Sequence, residues 1–205
     1  MKSAATRKYR QTARAEAVRA RMERLQRAAV ALWREKDIDE VTLAEIAERA
    51  GVSVQTLMRR FGSKQGLLDA CLEQGGTEIE LLRNRAEPGD VEGALAILFE
   101  HYELDGDAVL RTLQVEGRSE AAARILAAGR RHHRQWCARV FAPYLPRASG
   151  NAREARIDAF VAATDVYVWK LLRRDLKRSR AQAVEAMGAL VEGLARGEGD
   201  ARGDR

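Results

Sequence analysis

The chain has 205 residues, of which 32% are charged and 46% are hydrophobic, enough for one large domain or two small ones with buried cores. Two distant cysteines, Cys71 and Cys137, exclude a disulfide-built secreted scaffold and favour a reducing compartment. No apolar run approaches the roughly 20 residues of a membrane-spanning helix, and no apolar segment follows the basic N-terminus as in a secretory signal. We therefore expect a cytoplasmic protein without membrane contact.

The net charge of +6 is unevenly distributed along the chain. Residues 1–72 contain 15 Lys and Arg against 9 Asp and Glu, whereas residues 73–205 contain 21 of each class. A GC-rich genome would also favour Arg, but that bias does not explain why acids balance bases only after residue 72. The distribution indicates an N-terminal module for a polyanion and a remainder with another task.

Apolar residues recur at spacings of three and four, which is the period of helices and not of strands, so the expected fold is all-α. The apolar stripes cover 25–33, 91–102, 113–144, 157–172 and 183–194. Glycine, proline and polar residues predict breaks near 37–40, Gly51, Gly62, 75–76, 88–89, Gly106, 143–150 and 177–179.

The residues after position 41 include the helix-start and helix-end signals of a helix-turn-helix. Thr42 and Glu45 form the pattern of a capping box at a helix start. Gly51 stands where a left-handed residue would end that helix, and Ser53 can cap the next one after a turn of about three residues. This spacing is typical of the paired helices that bind DNA.

The second of these helices is predicted over 54–61, with Leu57 and Phe61 facing inward and Gln55 and Arg59 facing outward. Glutamine can pair with adenine and arginine with guanine in the major groove, while threonine at a helix start and lysine suit phosphate. The alternative is three short core helices with an exposed basic face. The candidate DNA contacts are Thr42, Ser53, Val54, Gln55, Thr56, Met58, Arg59, Arg60 and Lys64.

Residues 25–72 resemble the N-terminal domain of TetR-family transcriptional regulators, whose usual pattern is T-x-x-x-I-A-x-x-A-G-V-S-x-x-T-L-Y-x-H-F-x-S-K-x-x-L. The residues in register are Thr42, Ile46, Ala47, Ala50, Gly51, Val52, Ser53, Thr56, Leu57, Phe61, Ser63, Lys64 and Leu67 or Leu68. The resemblance implies a three-helix DNA-binding domain, a helical ligand-binding and dimerisation domain, and a homodimer on a palindromic operator. We accordingly expect a basic arm at 1–20, the helix-turn-helix domain at 21–73, the second domain at 74–196 and a flexible tail at 197–205.

Three positions depart from the family pattern. Met58 replaces the usual tyrosine, whose hydroxyl contacts a phosphate, and Arg60 replaces the usual histidine and can supply a charge-assisted contact. Asp37 and Ile38 take the place of the customary glycine and aromatic residue after the first helix, where Ile38 would fill the hydrophobic site.

Residues 1–27 alone hold 9 bases and 2 acids. This segment is either a solvated tail, as most charge runs are, or an arm that contacts the DNA backbone or minor groove. In the second interpretation the contacts come from Arg7, Lys8, Arg10 and Arg14.

Aromatic and polar residues of the second domain could line a pocket for a small-molecule effector, although most of them could equally be ordinary core. The candidates are Phe99, Tyr102, His133, Trp136, Cys137, Phe141, Asp165 and Tyr167. His133 and Cys137 stand four residues apart, but two ligands do not complete a tetrahedral zinc site, so no metal is expected.

The last two apolar stripes either cover the core of their own chain or meet a partner. The resemblance favours a partner, with two helices from each subunit forming a four-helix interface. The candidate interface residues are Phe160, Val168, Leu171, Met187, Leu190, Val191 and Leu194.

The sequence contains no P-loop, dinucleotide-binding turn, H-E-x-x-H motif, nucleophile elbow or paired CxxC, so neither an enzyme nor a cofactor is expected. Together with the helix-turn-helix pattern, the resemblance to TetR-family regulators implies a bacterial, ligand-responsive repressor that binds double-stranded DNA as a homodimer. A helical protein-interaction adaptor with an incidental basic N-terminus is the alternative.

Overall fold

A computed structural model describes the backbone of residues 4–73 and 78–197, and the side chains of residues 16–71 and 79–197. Within these ranges it contains helices and turns and no strand, which confirms the all-α prediction. The chain separates into two compact units, the first of which ends at Glu73. The predicted tail lies outside the described residues from position 198 onwards.

The first unit contains four helices: α1 (Ala4–Glu35), α2 (Leu43–Ala50), α3 (Val54–Phe61) and α4 (Lys64–Glu73). Its core draws apolar residues from all four helices and from the connection after α1, and α2 packs on both α1 and α3. The buried residues of this core are Leu25, Ala28, Leu32, Val41, Ile46, Ala47, Ala50, Leu57 and Leu67.

Helix α1 passes through residue 20 without a break, so the segment predicted as an arm continues the backbone of the first helix. The side chains of the predicted arm contacts, Arg7, Lys8, Arg10 and Arg14, lie outside the described residues. From Glu16 to Arg21 the described side chains are exposed.

The second unit is built around α6, which contacts α5, α7, α9 and α10. Its helices are α5 (Glu78–Asn84), α6 (Val91–Val115), α7 (Glu120–Val140), α8 (Asn151–Ala163), α9 (Val166–Lys170) and α10 (Arg180–Arg196), with a 3₁₀ turn at Ala142–Tyr144 and a π-helical turn at Leu171–Asp175. Among the described residues, every helix is too short or too polar to cross a bilayer.

Helix α6 continues through Gly106, where a break was predicted. A Cβ atom at this position would lie 2.5 Å from Cζ3 of Trp169, so the glycine serves the close packing of the Trp169 ring on α6. The predicted helical stretch 113–144 is instead interrupted where Ser119 caps α7 through a bond from the Ala122 amide. The apolar period of the sequence predicted neither the continuous helix at Gly106 nor the new helix start at Ser119. It reports how apolar residues recur along the chain, and not how closely two helices pack.

The stripe predicted as one long helix over 157–172 is divided between α8 and α9. Asp165 caps α9, since its Oδ1 accepts the Tyr167 amide at 2.9 Å. The π-helical turn that follows is held to α6, because Arg173 donates through Nε and Nη2 to the two carboxylate oxygens of Glu103. Nε1 of Trp169 donates to the same carboxylate at 3.1 Å.

Candidate nucleic-acid interface

The first helix of the helix-turn-helix begins with a complete capping box. The Glu45 amide donates to Oγ1 of Thr42 at 3.2 Å, and the Thr42 amide donates to Oε2 of Glu45 at 2.9 Å. The hydroxyl of Thr42 donates to that same carboxylate oxygen at 2.8 Å, and Lys36 pairs with the other oxygen. The hydrogen bonds from Lys36 and Thr42 lower the pKa of Glu45 to about 2. Thr42 therefore starts α2, and its hydroxyl proton is engaged within the cap.

The turn between α2 and α3 consists of three residues, Gly51, Val52 and Ser53. Gly51 has φ 66° and ψ 40°, a left-handed conformation that glycine adopts without a Cβ penalty. Its amide bonds back to the carbonyls of Ala47 and Glu48, and the Val52 amide donates to the Ala47 carbonyl at 2.9 Å. These bonds end α2 and direct the chain into α3 at once.

Helix α3 starts at a second local cap. The Thr56 amide donates to Oγ of Ser53 at 3.1 Å, and the two hydroxyls are 2.9 Å apart. Ser53 and Thr56 were both predicted as DNA contacts, and the structure shows that each first serves the start of the helix. A phosphate at this end would meet the positive end of the α3 dipole and these hydroxyls.

The outer face of α3 carries two pairs of side chains at the i, i+4 spacing. Gln55 and Arg59 form one exposed pair, while Val54 and Met58, which are 41% and 40% exposed, form the other. The opposite side is locked by Leu57, which has no exposed surface. One helix face is thus anchored while the other is presented to solvent.

Arg59 and its neighbour Arg60 are both exposed. Neither forms a hydrogen bond or ion pair with any residue in the part of the chain that the structure describes. An unpaired guanidinium can bind a guanine edge or a phosphate without first breaking an internal contact. We call the exposed side chains Val54, Gln55, Met58, Arg59 and Arg60 the α3 face.

Lys64 has a different environment from the one predicted for a phosphate contact. Its Nζ donates to the backbone carbonyl of Ile38 at 2.6 Å and to that of Asp39 at 3.3 Å, and burial lowers its pKa. The ammonium therefore ties the start of α4 to the connection after α1, where Ile38 is buried as expected. This correction removes Lys64 from the freely available cations, because two of its three donors already have acceptors.

The approach of α4 to α3 depends on a glycine that the sequence did not single out. A Cβ atom on Gly66 would collide with the backbone carbonyl oxygen of Phe61. The chain turns between the two helices at Gly62, which has φ 74°. Ser63 then caps α4 by accepting the Gly66 amide at 3.0 Å. This tight corner fixes the C-terminal end of α3.

Residues 25–71, which include α2, α3 and most of α4, match the model of the family described as "Bacterial regulatory proteins, tetR family". This part of the chain is therefore a DNA-binding domain of the TetR family of transcriptional regulators. The protein is therefore a DNA-binding transcriptional regulator. The α3 face is exposed on its helix-turn-helix. Among curated proteins, none matches this chain.

Two solved structures share the fold of this chain. A proposed transcriptional regulator from Pseudomonas aeruginosa PAO1 is 21% identical with a TM-score of 0.58, covering 86% of this chain and 90% of that one. A TetR transcriptional regulator from Rhodococcus sp. RHA1 is 20% identical with a TM-score of 0.54, covering 87% and 97% respectively. The matched part of the chain includes residues of both units.

The predicted effector-pocket residues do not form one site. Phe99 and Phe141 are fully buried core residues, and Phe141 stacks on Phe160 with ring centroids 4.4 Å apart. Asp165 is engaged in the α9 cap, and Tyr167 is 57% exposed, so neither lines the interior. The other four candidates, Tyr102, His133, Trp136 and Cys137, lie together in the core of the second unit.

The predicted dimer residues also divide. Phe160, Met187 and Val191 have no exposed surface and pack within their own chain, so their assignment to an interface is wrong. Leu171 and Leu190 are 49% and 51% exposed, and Val168 and Leu194 are half-buried. A helical stripe does not reveal which of its residues face the core of their own chain, because both sides of a wide stripe are apolar.

Sequence reasoning missed a buried arginine, Arg83 of α5, which is 8% exposed. Its Nε donates to Nδ1 of His101 at 3.0 Å, and its Nη1 lies 2.8 Å from Nδ1 of His133. The guanidinium carbon is 5.6 Å from the ring centroid of Tyr102 and 5.1 Å from that of Trp136. We call these five residues the Arg83 cluster.

The charge of Arg83 determines the hydrogen-bonding state of His133. Because a guanidinium only donates, Nδ1 of His133 must accept, which places the proton of the neutral ring on Nε2. That atom lies 3.1 Å from Oγ1 of Thr164, whose own proton goes to the carbonyl of Phe160 at 2.7 Å. Burial, reinforced by the charge of Arg83, lowers the pKa of His133 to about 3, so the ring is neutral at neutral pH.

No local signal could have identified Arg83. In α5 the apolar Leu81 is 65% exposed while Arg83 is buried, which reverses the usual relation between polarity and burial. Arg85, two residues further on, is exposed and pairs with Glu100. Only the partners of Arg83, which are distant in the sequence, distinguish the two arginines.

Proposed function

We propose that this regulator is a cytoplasmic, non-enzymatic repressor that binds a palindromic operator as a homodimer, with α3 as the recognition helix. The observation that carries this proposal is that Gln55 and Arg59 are both exposed and have no hydrogen bond or ion pair to another described residue, on a helix whose other side is anchored by Leu57. One helix of this length reaches few bases. A two-fold dimer doubles the contacts on a palindromic site.

The test is a selection of genomic fragments by the purified protein, followed by footprinting of the fragments that bind. We expect an inverted repeat whose half-sites are centred about 10 base pairs, or a multiple of that spacing, apart. Failure to enrich any fragment would contradict the proposal and favour the adaptor alternative. Enrichment of sites without two-fold symmetry would contradict the homodimer.

The dimer contact is proposed to involve the exposed apolar residues of the π-helical turn and α10, Leu171 and Leu190. Leu190→Glu should give monomers in sedimentation and weaken operator binding, because a buried charge without a partner opposes association. Leu81→Glu changes a leucine on α5 that is 65% exposed, against 51% for Leu190, and is the matched control. A dimer that survives Leu190→Glu but is lost with Leu81→Glu would place the interface elsewhere.

The N-terminal half of α1 is proposed to add nonspecific phosphate contacts through Arg7, Lys8, Arg10 and Arg14. Its support is the composition of residues 1–27, with 9 bases and 2 acids. Deletion of residues 2–14 should reduce the slope of log affinity against log salt, since fewer counterions are released. An unchanged slope would show that these residues do not contact DNA.

A small-molecule effector is proposed to act through the second unit. Such a ligand releases the repressor only if it binds the state with low operator affinity more tightly than the other state. In a dimer, a change in the distance between the two copies of α3 is sufficient, because half-site spacing is a geometric requirement.

A further inference from the structure

The α3 face has an apolar edge beside its polar part. Val54 and Met58 are 41% and 40% exposed, and they stand four residues apart on one side of α3. At about 100° per residue, the mean direction of this pair is about 100° from that of Gln55 and Arg59. The α3 face therefore presents apolar and hydrogen-bonding side chains next to each other.

The packing of the first unit does not account for this apolar edge. Leu57 of the same helix belongs to the buried core, and Val52 and Phe61 pack against that core. Among the described residues, Val54 and Met58 are neither part of the core nor among the apolar side chains packed on it. Substitutions at these two positions should therefore leave the domain folded, so that their effect on DNA binding can be measured.

Binding of DNA through α3 would remove water from both apolar side chains. The side chain of Val54 can neither donate nor accept a hydrogen bond, and the thioether of Met58 is only a weak acceptor. A polar base edge or a phosphate placed against them would lose hydrogen bonds to water without replacement, which costs free energy. The apolar edge therefore favours an apolar group on the DNA.

The apolar group that base edges present in the major groove is the C5-methyl of thymine. The edges of guanine, adenine and cytosine present acceptors and amino donors there. Side chains at the i, i+4 spacing have Cβ atoms about 5–6 Å apart, so one methyl group can contact both Val54 and Met58. The unbranched, flexible side chain of Met58 can adapt to the position of that methyl group.

We propose that Val54 and Met58 recognise thymine by receiving the C5-methyl group of one thymine in each operator half-site. Gln55 and Arg59, on the adjacent part of the α3 face, then bind polar base edges, so that each half-site combines a methyl contact with hydrogen bonds. This inference rests on the proposed function, since it names the base chemistry read by the proposed recognition helix. It assigns Met58 to a base, and not to the phosphate that the usual tyrosine at this position contacts.

The test replaces thymine by deoxyuridine in the selected operator, at one position of the half-site at a time and symmetrically in both half-sites. Deoxyuridine lacks only the C5-methyl group and pairs with adenine as thymine does. At one of these positions, the affinity of the unaltered full-length protein should fall by about fourfold for each half-site, which is the effect of losing one buried methyl group. Gel shifts measure the ratio of the affinities for the thymine and deoxyuridine operators.

Two variants assign this ratio to the apolar edge. Val54→Ser removes both methyl groups of the valine, and Met58→Gln keeps the length of the side chain but ends it in an amide. Each variant should bring the ratio closer to one than it is for the unaltered protein. Leu81→Gln changes an exposed leucine on α5 and should retain the full ratio.

Two results would overturn the proposal. They are equal affinity for thymine and deoxyuridine at every thymine of the half-site, and an undiminished ratio in both Val54→Ser and Met58→Gln. The first is measured with the unaltered protein, so it does not depend on the folding of a variant. Failure to select any operator refutes the proposed function and this inference with it, whereas operator binding that does not distinguish thymine from deoxyuridine refutes only this inference.

Discussion

The two units of this regulator use arginine in opposite ways. In the first unit, Arg59 and Arg60 are exposed on α3 and make no hydrogen bond or ion pair within the described side chains. In the second unit, Arg174 donates from Nε and Nη2 to the two oxygens of Asp107, each at 2.9 Å, and lies 4.4 Å over the ring of Trp169. An arginine whose charge is balanced within the chain stabilises the fold, while an unpaired one remains available for a polyanion.

The pairing of arginines with carboxylates follows the uneven distribution of net charge along the sequence. The second part of the chain has equal numbers of acids and bases, and its surface arginines such as Arg130 and Arg134 pair with carboxylates. Even within the first unit, Arg49 donates to both oxygens of Glu35, at 2.6 and 2.9 Å. The charge relevant to DNA is therefore decided by pairing as well as by composition.

The largest expected effect concerns His133, a buried residue of the second unit. His133 has a pKa of about 3 in the folded protein, against 6.5 for an ordinary histidine. Between these values the unfolded chain binds one more proton, so the free energy of unfolding falls as the pH falls, by about 1.4 kcal/mol per pH unit. Urea unfolding of the wild type and of His133→Gln, followed from about pH 7 to about pH 5, should show a smaller acid dependence in the variant.

His132 provides the control for that measurement, because it is adjacent in sequence but exposed. His132→Gln should retain the acid dependence of the wild type. If His133→Gln and the wild type lose stability in parallel, His133 is not the buried group that acid protonates.

The next effect separates unpaired from paired arginines within the first unit. Arg59→Ala should weaken operator binding by about 1–3 kcal/mol and relax the preference at one base, because a bidentate contact to guanine is lost. Arg49→Ala removes another exposed arginine of the same unit, whose guanidinium already pairs with Glu35. This variant should leave operator affinity unchanged. Gel shifts on the selected operator and on single-base variants measure both. Equal losses for the two variants would refute the distinction between paired and unpaired arginines.

The smallest effect concerns Lys64. Lys64→Met should lower the free energy of unfolding by about 1 kcal/mol, since the carbonyls of Ile38 and Asp39 lose their donor. It should not alter the salt dependence of DNA binding, whereas Arg60→Gln should reduce the slope of log affinity against log salt by about one. Chemical unfolding and binding at several salt concentrations measure these changes. A reduced slope for Lys64→Met would restore its predicted phosphate contact.

The parts of the site that sequence reasoning predicted are those whose partners are close in the chain. Thr42 and Glu45 are three residues apart, as are Ser53 and Thr56, and both caps form as predicted. Gly51 is left-handed because the chain must turn within three residues. Local rules suffice for such features, since backbone geometry alone brings the interacting atoms together.

The parts that could not be predicted depend on distant partners. Lys64 bonds a carbonyl 26 residues earlier, and Arg83 bonds a histidine 50 residues later. Neither spacing has a sequence signature. The apolar stripe of α10 was recognised, but whether a residue faces the core, like Met187, or solvent, like Leu190, depended on where the other helices lie.

The sequence by itself determined the all-helical fold, the helix-turn-helix and the side chains presented by α3, because helix period, caps and turns are local properties. The tertiary structure decided which cations are paired, which apolar residues are exposed, and that Arg83 is buried between two imidazoles. The reason is physical: the protonation, pairing and burial of a side chain depend on contacts that only packing creates.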